Sequence, residues 1–429
     1  MTNKVLYGPQ TKAALENFPF DYHKTLREFI YAIVIIKKAA AAANFQAGKL
    51  TKERSSKIIA ACDEILKGKY NDQFVVSAHH GGAGTSPHMN VNEVVGSLSG
   101  THPNDHVNAS QSTNDVNPSA LRIASVKLTR KLLKSLDHLI SVFDEKSHEF
   151  RSIQKLGRTH FQDAVPTTLG AGFASYRDIL KRDKKRIEEA LIYLYELNLG
   201  ATAIGNSINA PKEYIVNVYK ELRQITGINE LKPLENLMSG TSSDADFCQI
   251  SGAVTILCND LSKIALDLRF MSSGPRGGIG EISFKELQPG SSIMPGKVNP
   301  IMAETINQTY YLISGKNLSI HQAAEGAHME LGVMLPIIAD SLITMLKIVD
   351  TALNIFTDRG IKMIIANKER CKELLERSTA YATLLTPRLG YDVVSKVVKE
   401  SVSTGKTIRE VILEKKLLSA VELEKLLVI

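Results

Sequence analysis

Apolar residues recur three and four positions apart over long stretches in the middle of the chain, from about Asp115 to Asn367. The clearest run has them at Leu121, Ile123, Val126, Leu128, Leu132, Leu133, Leu136, Leu139, Ile140, Val142 and Phe143. This spacing gathers apolar side chains on one side of an α-helix, and it predicts a helix longer than the usual length of about twelve residues. Further long helices are predicted to begin near Thr167, Ser242, Pro300 and Leu331.

The pattern divides the chain into three zones. Residues 1–114 show short, interrupted helical patterns, with predicted loops at 79–90 and 100–115. Residues 115–367 carry the long helices, and residues 368–429 carry shorter amphipathic segments. We therefore expect a mainly α-helical protein with a mixed helical and loop domain, a central bundle and a small helical domain. Long helices that are apolar on more than one side need partners, so the bundle is expected to continue across subunits.

Composition and charge exclude several classes of protein. With 44% hydrophobic and 23% charged residues, the chain is neither disordered nor fibrous. The net charge of +7 comes from scattered basic residues, and the densest run, 181–186, is followed by Glu188 and Glu189. Mixed signs at this spacing are typical of a solvated helix face. Because no DNA- or RNA-binding motif accompanies the charge, no nucleic-acid partner is expected.

The cysteines and the apolar segments indicate a cytoplasmic protein. Four widely spaced cysteines are present, Cys62, Cys248, Cys258 and Cys371. They form no CxxC pair and have no histidine at metal-ligand spacing, so we expect reduced thiols and no metal site. Residues 1–5 lack the apolar core of a secretory signal. The segment 32–43 is interrupted by Lys37 and Lys38, so it cannot supply the ~20 apolar residues of a membrane span.

The stretch "GSSIMPGKVNP", residues 290–300, carries the first candidate chemistry. Its glycines allow close approach of backbone N–H groups, and its prolines stiffen the turns. Such a loop can surround a serine hydroxyl with amide donors and a cation, as a serine acting as an alkoxide base requires. Ser291 or Ser292 could be that base, and Lys297 could neutralise an anion. An ordinary loop between helices has the same composition, and spacing alone leaves both interpretations open.

Two other stretches are suited to an anionic ligand. "SQSTN" supplies Ser112, Thr113 and Asn114, which are also good caps for a helix that begins near Asp115. Both roles are compatible, because helix N-termini bind anions. The glycine-rich "GGAGTS" contains Thr85 but lacks the GxxxxGK[ST] spacing of a nucleotide-binding loop.

The stretch at 290–300 resembles the signature of the aspartase/fumarase superfamily, whose members break a C–N or C–O bond next to a carboxylate and release fumarate. Five further blocks are similar to the other motifs of this family, in the same order: "YGPQTKAALENF" (7–18), "GGAGTSPHMNVNEV" (81–94), "HPNDHVNASQSTND" (102–115), "GRTHFQDAVPTTLG" (157–170) and "LGATAIGNSIN" (199–209). The resemblance covers nearly the whole chain.

The resemblance implies roles for individual residues. Ser291 would be the catalytic base, and Lys297 and Asn299 would bind a substrate carboxylate. Further substrate contacts are implied at Thr85, Ser112, Thr113, Asn114 and Thr159. Family members place a histidine, here His160, against a glutamate, here Glu304. A histidine beside a carboxylate stays charged more readily and helps to hold a dicarboxylate.

The resemblance also implies the assembly and the partners. We expect a homotetramer whose sites each combine Thr159 and His160 from one chain, residues 112–114 from a second and the Ser291 loop from a third. The partner is a small dicarboxylate substrate. No organic cofactor is implied; some aspartases respond to a divalent metal, but the sequence identifies no metal site.

Four short sequence motifs resemble the aspartase branch of the family more than the fumarase branch. They are "STN" (112–114), "LGATAIG" (199–205), "MAETINQ" (302–308) and "GKTIREVILEKKLL" (405–418). The expected reaction is reversible deamination of L-aspartate to fumarate and ammonia, by serine-based Cβ proton abstraction through an aci-carboxylate. The alternatives are a class II-type fumarate hydratase, a structural protein that kept the fold, and a lyase for a larger substrate.

One departure from the family pattern lies close to the expected site. Pro87 and His88 stand where the family usually has a small residue and an asparagine before "MN". This change could alter the turn that carries Thr85.

Overall fold

α-Helices make up most of the described part of the chain, which is residues 4–427 of a computed structural model. Within these residues the helices are α1 (Pro9–Asn17), α2 (Arg27–Gln46), α3 (Lys52–Leu66), α4 (Thr85–Ser99), α5 (Thr113–Glu149), α6 (Leu169–Ile192), α7 (Lys212–Thr226), α8 (Leu237–Ser242), α9 (Ala245–Met271), α10 (Ile301–Glu325), α11 (Leu335–Ile355), α12 (Lys368–Arg377), α13 (Ala382–Leu389), α14 (Tyr391–Thr404), α15 (Ile408–Glu414) and α16 (Ala420–Leu427). The strands pair two by two: β1 (Gln154–Thr159) with β2 (Gln162–Thr168), β3 (Glu196–Leu197) with β4 (Lys232–Pro233), and β5 (Ile282–Ser283) with β6 (Ile365–Ala366). The prediction of a mainly α-helical fold is confirmed. None of the helices within the described range is long and apolar enough to cross a membrane.

The predicted long helices are present. α5 spans 37 residues, and α6, α9, α10 and α11 span 24, 27, 25 and 21 residues. Their first residues lie within four positions of the predicted starts. Most of the periodic apolar residues of α5 are buried, with Leu121, Leu132, Leu136 and Phe143 at 0% exposure, whereas Leu128 and Leu133 are half-buried. The three-to-four spacing therefore reports the face that the helix turns toward the core.

Contacts within the chain define two compact units. The first comprises residues up to Lys134, together with Asp183–Cys258 and Tyr311–Asp350. The second comprises Ser135–Arg182, Asn259–Tyr310 and the residues from Thr351 onward. The division into domains 1–114, 115–367 and 368–429 stays a prediction.

The predicted loop at residues 79–90 is a loop only in its first half, because α4 begins at Thr85. Gly82, Ala83 and Gly84 have φ values of +83°, +54° and +85°, and these three left-handed residues turn the chain into the helix. Pro87 lies in the first turn of α4, where its missing N–H removes no helical hydrogen bond. The loop prediction was therefore wrong for residues 85–90.

The short carboxyl-terminal helices pack around an apolar cluster of their own in the second unit. Its buried members include Leu375, Leu385, Val397, Val411 and Leu423. The start of α15 is fixed by a capping box, in which the Thr407 hydroxyl accepts from the Glu410 N–H and the Glu410 carboxylate accepts from the Thr407 N–H.

Candidate active site

Thr85 is the first residue of α4, and its side chain is exposed. The turn before it packs closely on α5, because a Cβ on Gly84 would overlap the side-chain nitrogen of Asn117. That nitrogen donates to the carbonyl oxygens of Ala83 and Gly84, at 3.3 and 2.9 Å. These contacts fix the N-terminus of α4, where the Thr85 N–H donates to the Gly82 carbonyl oxygen at 3.0 Å and the helix dipole places partial positive charge.

Ser112 caps the N-terminus of α5. Its hydroxyl oxygen accepts from the Asn114 N–H at 3.3 Å, and its own N–H donates to Asp115 Oδ1 at 2.8 Å. The capping role anticipated for "SQSTN" is thus seen for Ser112. Thr113 and Asn114 follow as the first two helical residues, both half-buried, at a helix end that favours anions.

Asp115 joins this helix end to the "LGATAIG" block. Its Oδ2 atom accepts from the N–H groups of Gly200 and Thr202, at 2.9 and 3.2 Å. Burial raises the pKa of Asp115 to about 6, against the lowering effect of its three backbone donors. The Asn114 side chain also donates to the Ala203 carbonyl oxygen at 2.8 Å. Two motif blocks about 85 residues apart in sequence therefore meet at one place.

Thr85 and Asn114 line one open cleft of about 540 Å³ in the first unit. The rest of its lining comes from Ala78, His79, His80, Gly81, Gly82, Ala83, Leu331, Val333, Met334, Pro336 and Ile337. His79 and His80 were not predicted from the sequence, because the histidines of a glycine-rich loop give no periodic pattern. Burial lowers the pKa of His80, whose Nδ1 lies 2.8 Å from the Ser77 carbonyl oxygen.

His160 lies at the tip of the hairpin formed by β1 and β2 in the second unit. Thr159 pairs with Gln162, so His160 and Phe161 form a two-residue turn. Both have positive φ, +54° and +59°, as type I′ turns require, although such turns favour asparagine and glycine. Thr159, His160 and Phe161 are all exposed. The turn presents the His160 side chain to solvent at its tip, and the role of His160 in binding stays a prediction.

The Ser291 loop presents its serine oxygen to two backbone donors. Ser291 Oγ accepts from the N–H groups of Ile293 and Met294, both at 3.2 Å. Ser291 is half-buried, whereas Ser292 is exposed. Two amide donors directed at one oxygen stabilise negative charge on it. This geometry favours Ser291 over Ser292 as the alkoxide, and the assignment of the base stays a prediction.

The two ends of this loop lie against each other. A Cβ on Gly290 would overlap the carbonyl oxygen of Lys297. The Asn299 side chain donates to the Gly290 carbonyl oxygen at 2.8 Å, which closes the neck of the loop. The Lys297 side chain is exposed and Asn299 is half-buried. The second amide hydrogen of Asn299 is thus left for another acceptor.

Glu304 lies in the first turn of α10, with Oε1 3.9 Å from the guanidinium of Arg269. The family resemblance places His160 and the segment that carries Glu304 on different chains. The pairing of these two residues therefore stays a prediction.

A buried hydrogen-bond network, which the sequence did not predict, contacts the Thr113 hydroxyl from the interior. The Lys37 ammonium group is 2.7 Å from His88 Nε2, and His88 Nδ1 is 2.8 Å from Thr113 Oγ1. Lys37 and His88 are 0% and 1% exposed. His88 therefore faces α5 from within α4, rather than disturbing the turn that carries Thr85.

The described residues contain no group of three or more histidine, cysteine, aspartate or glutamate side chains that could hold a metal ion. The four cysteines are free thiols. Burial raises the pKa of Cys62 and of Cys258 to about 12. These two thiols are therefore protonated at neutral pH. The expectation that the protein needs no organic cofactor stays a prediction.

Comparison with known proteins identifies the family. A family profile described as "Lyase" matches residues 1–315, and one described as "Fumarase C C-terminus" matches residues 382–429. The chain belongs to the aspartase/fumarase superfamily. The family resemblance drawn from the motifs is thereby confirmed.

Similar proteins match along nearly the whole chain. The aspartate ammonia-lyase of Bacillus subtilis (strain 168) is 44% identical over 435 residues, covering 99% of this chain and 91% of that protein. The aspartate ammonia-lyase of Escherichia coli (strain K12) is 42% identical over 436 residues, covering 97% and 90%. Among solved structures, a fumarate lyase:delta crystallin from Brucella melitensis bound to cobalt has a TM-score of 0.95 at 40% identity, covering 100% of this chain and 95% of that one. A class II fumarase from Schistosoma mansoni has a TM-score of 0.94 at 31% identity, with the same coverage.

Proposed function

We propose that this protein is an aspartate ammonia-lyase, a carbon–nitrogen lyase that converts L-aspartate reversibly to fumarate and ammonia. The observation that carries the proposal is the 44% identity, along nearly the full length of both chains, to a protein with that activity. The geometry supports the same reaction, because the Ser291 oxygen accepts from two backbone N–H groups, as an alkoxide base requires.

In the proposed reaction, the Ser291 alkoxide removes a proton from the Cβ of aspartate. The electron pair of the C–H bond moves into the neighbouring carboxylate and gives an aci-carboxylate with two negative charges. The pair then returns to form the carbon–carbon double bond while the C–N bond breaks and ammonia leaves. The proton ends on Ser291 Oγ, and the amide donors of the loop favour the charged serine before that transfer.

The remaining predicted residues hold the dicarboxylate. Lys297 supplies a positive charge and Asn299 an amide hydrogen to the carboxylate that accumulates charge. His160 supplies a further cation when it pairs with Glu304. Further substrate contacts are proposed at Thr85, Ser112, Thr113, Asn114 and Thr159. The N-termini of α4 and α5, which carry Thr85 and Ser112–Asn114, add partial positive charge.

A class II-type fumarate hydratase is the alternative function. The fumarate half of the substrate is the same for both reactions, so the leaving group is distinguished by a few contacts. The TM-score of 0.94 to a class II fumarase favours this alternative only through the shared fold, since its identity is 31% against 44% for an aspartate ammonia-lyase. A non-catalytic structural homologue and a larger-substrate lyase are less well supported, because every matched position carries the residue type that the proposed reaction needs.

The active form is proposed to be a cytoplasmic homotetramer whose sites are shared between chains. Large apolar side chains remain exposed on α9 and α10 in the single chain: Ile256, Leu266, Phe270, Tyr311, Leu312 and Leu318. Exposed apolar groups on long helices favour coverage by further copies. Each site would combine Thr159 and His160, residues 112–114 and the Ser291 loop from three different chains. The dicarboxylate is the proposed partner, with no nucleic acid, membrane or organic cofactor.

The function is tested by incubating the purified protein separately with L-aspartate and with L-malate. Fumarate is followed by its absorbance, and ammonia is assayed in parallel. We expect fumarate with an equal amount of ammonia from aspartate, and none from malate. Fumarate from malate alone would establish the hydratase instead, and the absence of product from both would favour the larger-substrate lyase or the structural homologue.

A further inference from the structure

Three elements converge on the buried ammonium group of Lys37 in the first unit. Lys37 projects from α2, and its Nζ atom lies 2.7 Å from His88 Nε2, 2.8 Å from Asn108 Oδ1 and 3.0 Å from Gln111 Oε1. The other ring nitrogen of His88, Nδ1, lies 2.8 Å from Thr113 Oγ1. A continuous chain of hydrogen bonds therefore runs from Lys37 through His88 to Thr113.

The number of donors on Lys37 determines which atom donates in each hydrogen bond of this series. A protonated lysine has three N–H donors and no acceptor, and Lys37 faces three acceptors. The Gln111 amide is fixed because its NH₂ group donates to the carbonyl oxygens of Val107 and Ala109, at 3.2 and 3.0 Å. The NH₂ group of Asn108 likewise donates to the Gln111 carbonyl oxygen at 3.3 Å. Both amides therefore direct their oxygens at Lys37.

His88 Nε2 must then be the acceptor of the third N–H of Lys37. Burial and the neighbouring Lys37 charge hold the pKa of His88 well below its usual range, although a hydrogen bond with the Asn108 side chain acts in the opposite direction, so the ring is neutral. A neutral ring that accepts at Nε2 carries its proton on Nδ1. That proton is donated to Thr113 Oγ1, and the hydroxyl hydrogen of Thr113 is free to point elsewhere.

We propose that His88, oriented by Lys37, is a positioning residue that holds the Thr113 hydroxyl as a hydrogen-bond donor toward a substrate carboxylate. The inference rests on the proposed function through Thr113, which is one of the predicted substrate contacts. A carboxylate only accepts hydrogen bonds, so a hydroxyl whose hydrogen is turned inward would present a lone pair to it and repel it.

Loss of the Lys37 proton reverses the direction of the hydrogen bonds that run from Lys37 through His88 to Thr113, which we call the relay. A neutral lysine keeps two N–H donors, which the two fixed amide oxygens occupy, and it turns its lone pair toward His88. In the balanced step, Nε2 takes the third proton of Lys37, the Nδ1 proton is released to the solvent, and Nδ1 then accepts from the Thr113 hydroxyl. Thr113 no longer has a hydrogen for the substrate, and the affinity for a dicarboxylate falls.

The reversal falls in an accessible pH range. Burial lowers the pKa of Lys37 to about 7, although the charge of Asp115 on α5 acts in the opposite direction. Asp115, whose pKa is about 6, is charged at that pH, and Cys62, whose pKa is about 12, is not. The group that titrates between pH 6 and pH 9 in this network is therefore Lys37. A bound dicarboxylate favours the protonated lysine and moves the transition to higher pH.

His88→Asn provides the matched variant. An asparagine side chain can accept from Lys37 with its oxygen and donate to Thr113 with its nitrogen, but it cannot move a proton between the two atoms. In this variant, residue 88 is expected to donate to Thr113 Oγ1 at every pH, so the hydrogen-bond direction should not reverse when Lys37 loses its proton. His88→Ala removes both links and serves as the variant without a relay.

The kinetic test measures KM for L-aspartate and the inhibition constant of succinate between about pH 6 and pH 9 for the parent and both variants. In the parent, both constants are expected to rise about tenfold or more with pH, as one hydrogen bond to a charged group is lost. In His88→Asn, they should change much less with pH and remain near the low-pH parent values. In His88→Ala, the pH dependence should likewise be lost, because no ring remains to accept the Thr113 hydrogen at high pH. Parallel pH profiles for the parent and His88→Asn would overturn the inference.

A second measurement keeps the inference testable if the protein proves inactive on aspartate. Solid-state ¹⁵N NMR of the intact histidine-labelled protein identifies which ring nitrogen of His88 carries the proton, and the signal missing from His88→Asn assigns the resonance. We expect the Nδ1–H tautomer at pH 6 and the Nε2–H tautomer at pH 9. An unchanged tautomer, or a doubly protonated ring at pH 6, would contradict the relay. Absence of fumarate from aspartate would count against the proposed function, and not against the relay itself.

Discussion

The side-chain amide of Asn299 donates a hydrogen bond to the carbonyl oxygen of Gly290, 2.8 Å away. The two residues stand at opposite ends of the Ser291 loop, so this bond closes the loop at its neck while residues 292–298 remain exposed. The loop therefore has a neck that is held by a hydrogen bond and a tip that is exposed to solvent. Such a loop can close over a dicarboxylate without losing the position of its serine.

Gly290→Ala is predicted to lower kcat by about 100-fold or more, because displacing a catalytic group by ~1 Å can cost that much. The added Cβ would overlap the Lys297 carbonyl oxygen, so the neck would have to open. Steady-state kinetics on aspartate measures the effect, and circular dichroism checks that the helices are retained.

Gly296→Ala is the matched control within the same loop. Gly296 has a φ of +78°, but a Cβ there meets no atom within 4 Å. Only the conformational cost of about 1–2 kcal/mol is expected, because no neighbouring atom opposes the added methyl group. If the two variants lost activity equally, close packing at the neck would not be the reason for the loss.

His160→Asn is predicted to keep the conformation of the hairpin turn while removing the imidazole group. Asparagine adopts the left-handed conformation of a type I′ turn more readily than histidine, so the thermal midpoint should be unchanged or slightly higher. Loss of one charge-assisted hydrogen bond is expected to raise KM for aspartate about tenfold or more. A variant with the parent's KM would show that His160 does not bind the substrate.

The stability of the protein is predicted to depend on the titration of Lys37. In the unfolded chain Lys37 holds its proton up to about pH 10.5, whereas in the folded protein it releases it near pH 7. Between these values the unfolded state binds more protons, so the free energy of unfolding rises with pH. Relative to Lys37→Met, the parent should gain about 2 kcal/mol per chain between about pH 7 and pH 9.

This gain is measured by urea unfolding of both proteins at one fixed concentration. Subtracting the Lys37→Met profile removes the contribution of the other titrating groups. Identical pH profiles would mean that Lys37 stays protonated in the folded protein.

The sequence pattern was sufficient for the long helices because their apolar spacing is local. Leu121, Leu132 and Phe143 are buried as the three-to-four period requires. The pattern failed where backbone conformation decides, as at Gly84, whose positive φ ends the turn and lets α4 begin at Thr85. Glycine and proline content indicated a loop there, although Pro87 fits a first helical turn.

Contacts between residues far apart in the sequence could not be predicted from local patterns. In the sequence Lys37 only interrupts an apolar segment, yet its partners His88, Asn108 and Gln111 lie 51, 71 and 74 residues away. The motif residues of the Ser291 loop were found through the family resemblance, whereas the two amide donors to Ser291 are evident only in the folded loop. The pairing of His160 with Glu304 between chains stays a prediction.

The central claim is that Ser291 is the base of an aspartate ammonia-lyase, and the comparison of Ser291→Ala with Ser292→Ala tests it most directly. Ser291 accepts from the N–H groups of Ile293 and Met294, whereas Ser292 is exposed beside it. We predict that Ser291→Ala lowers kcat for fumarate release from aspartate by about 10²–10⁴-fold with little change in KM, because a general base acts in the transition state. Ser292→Ala should stay within about tenfold of the parent on the same scale. Near-normal turnover by Ser291→Ala, or an equal loss in both variants, would contradict the assignment of the base.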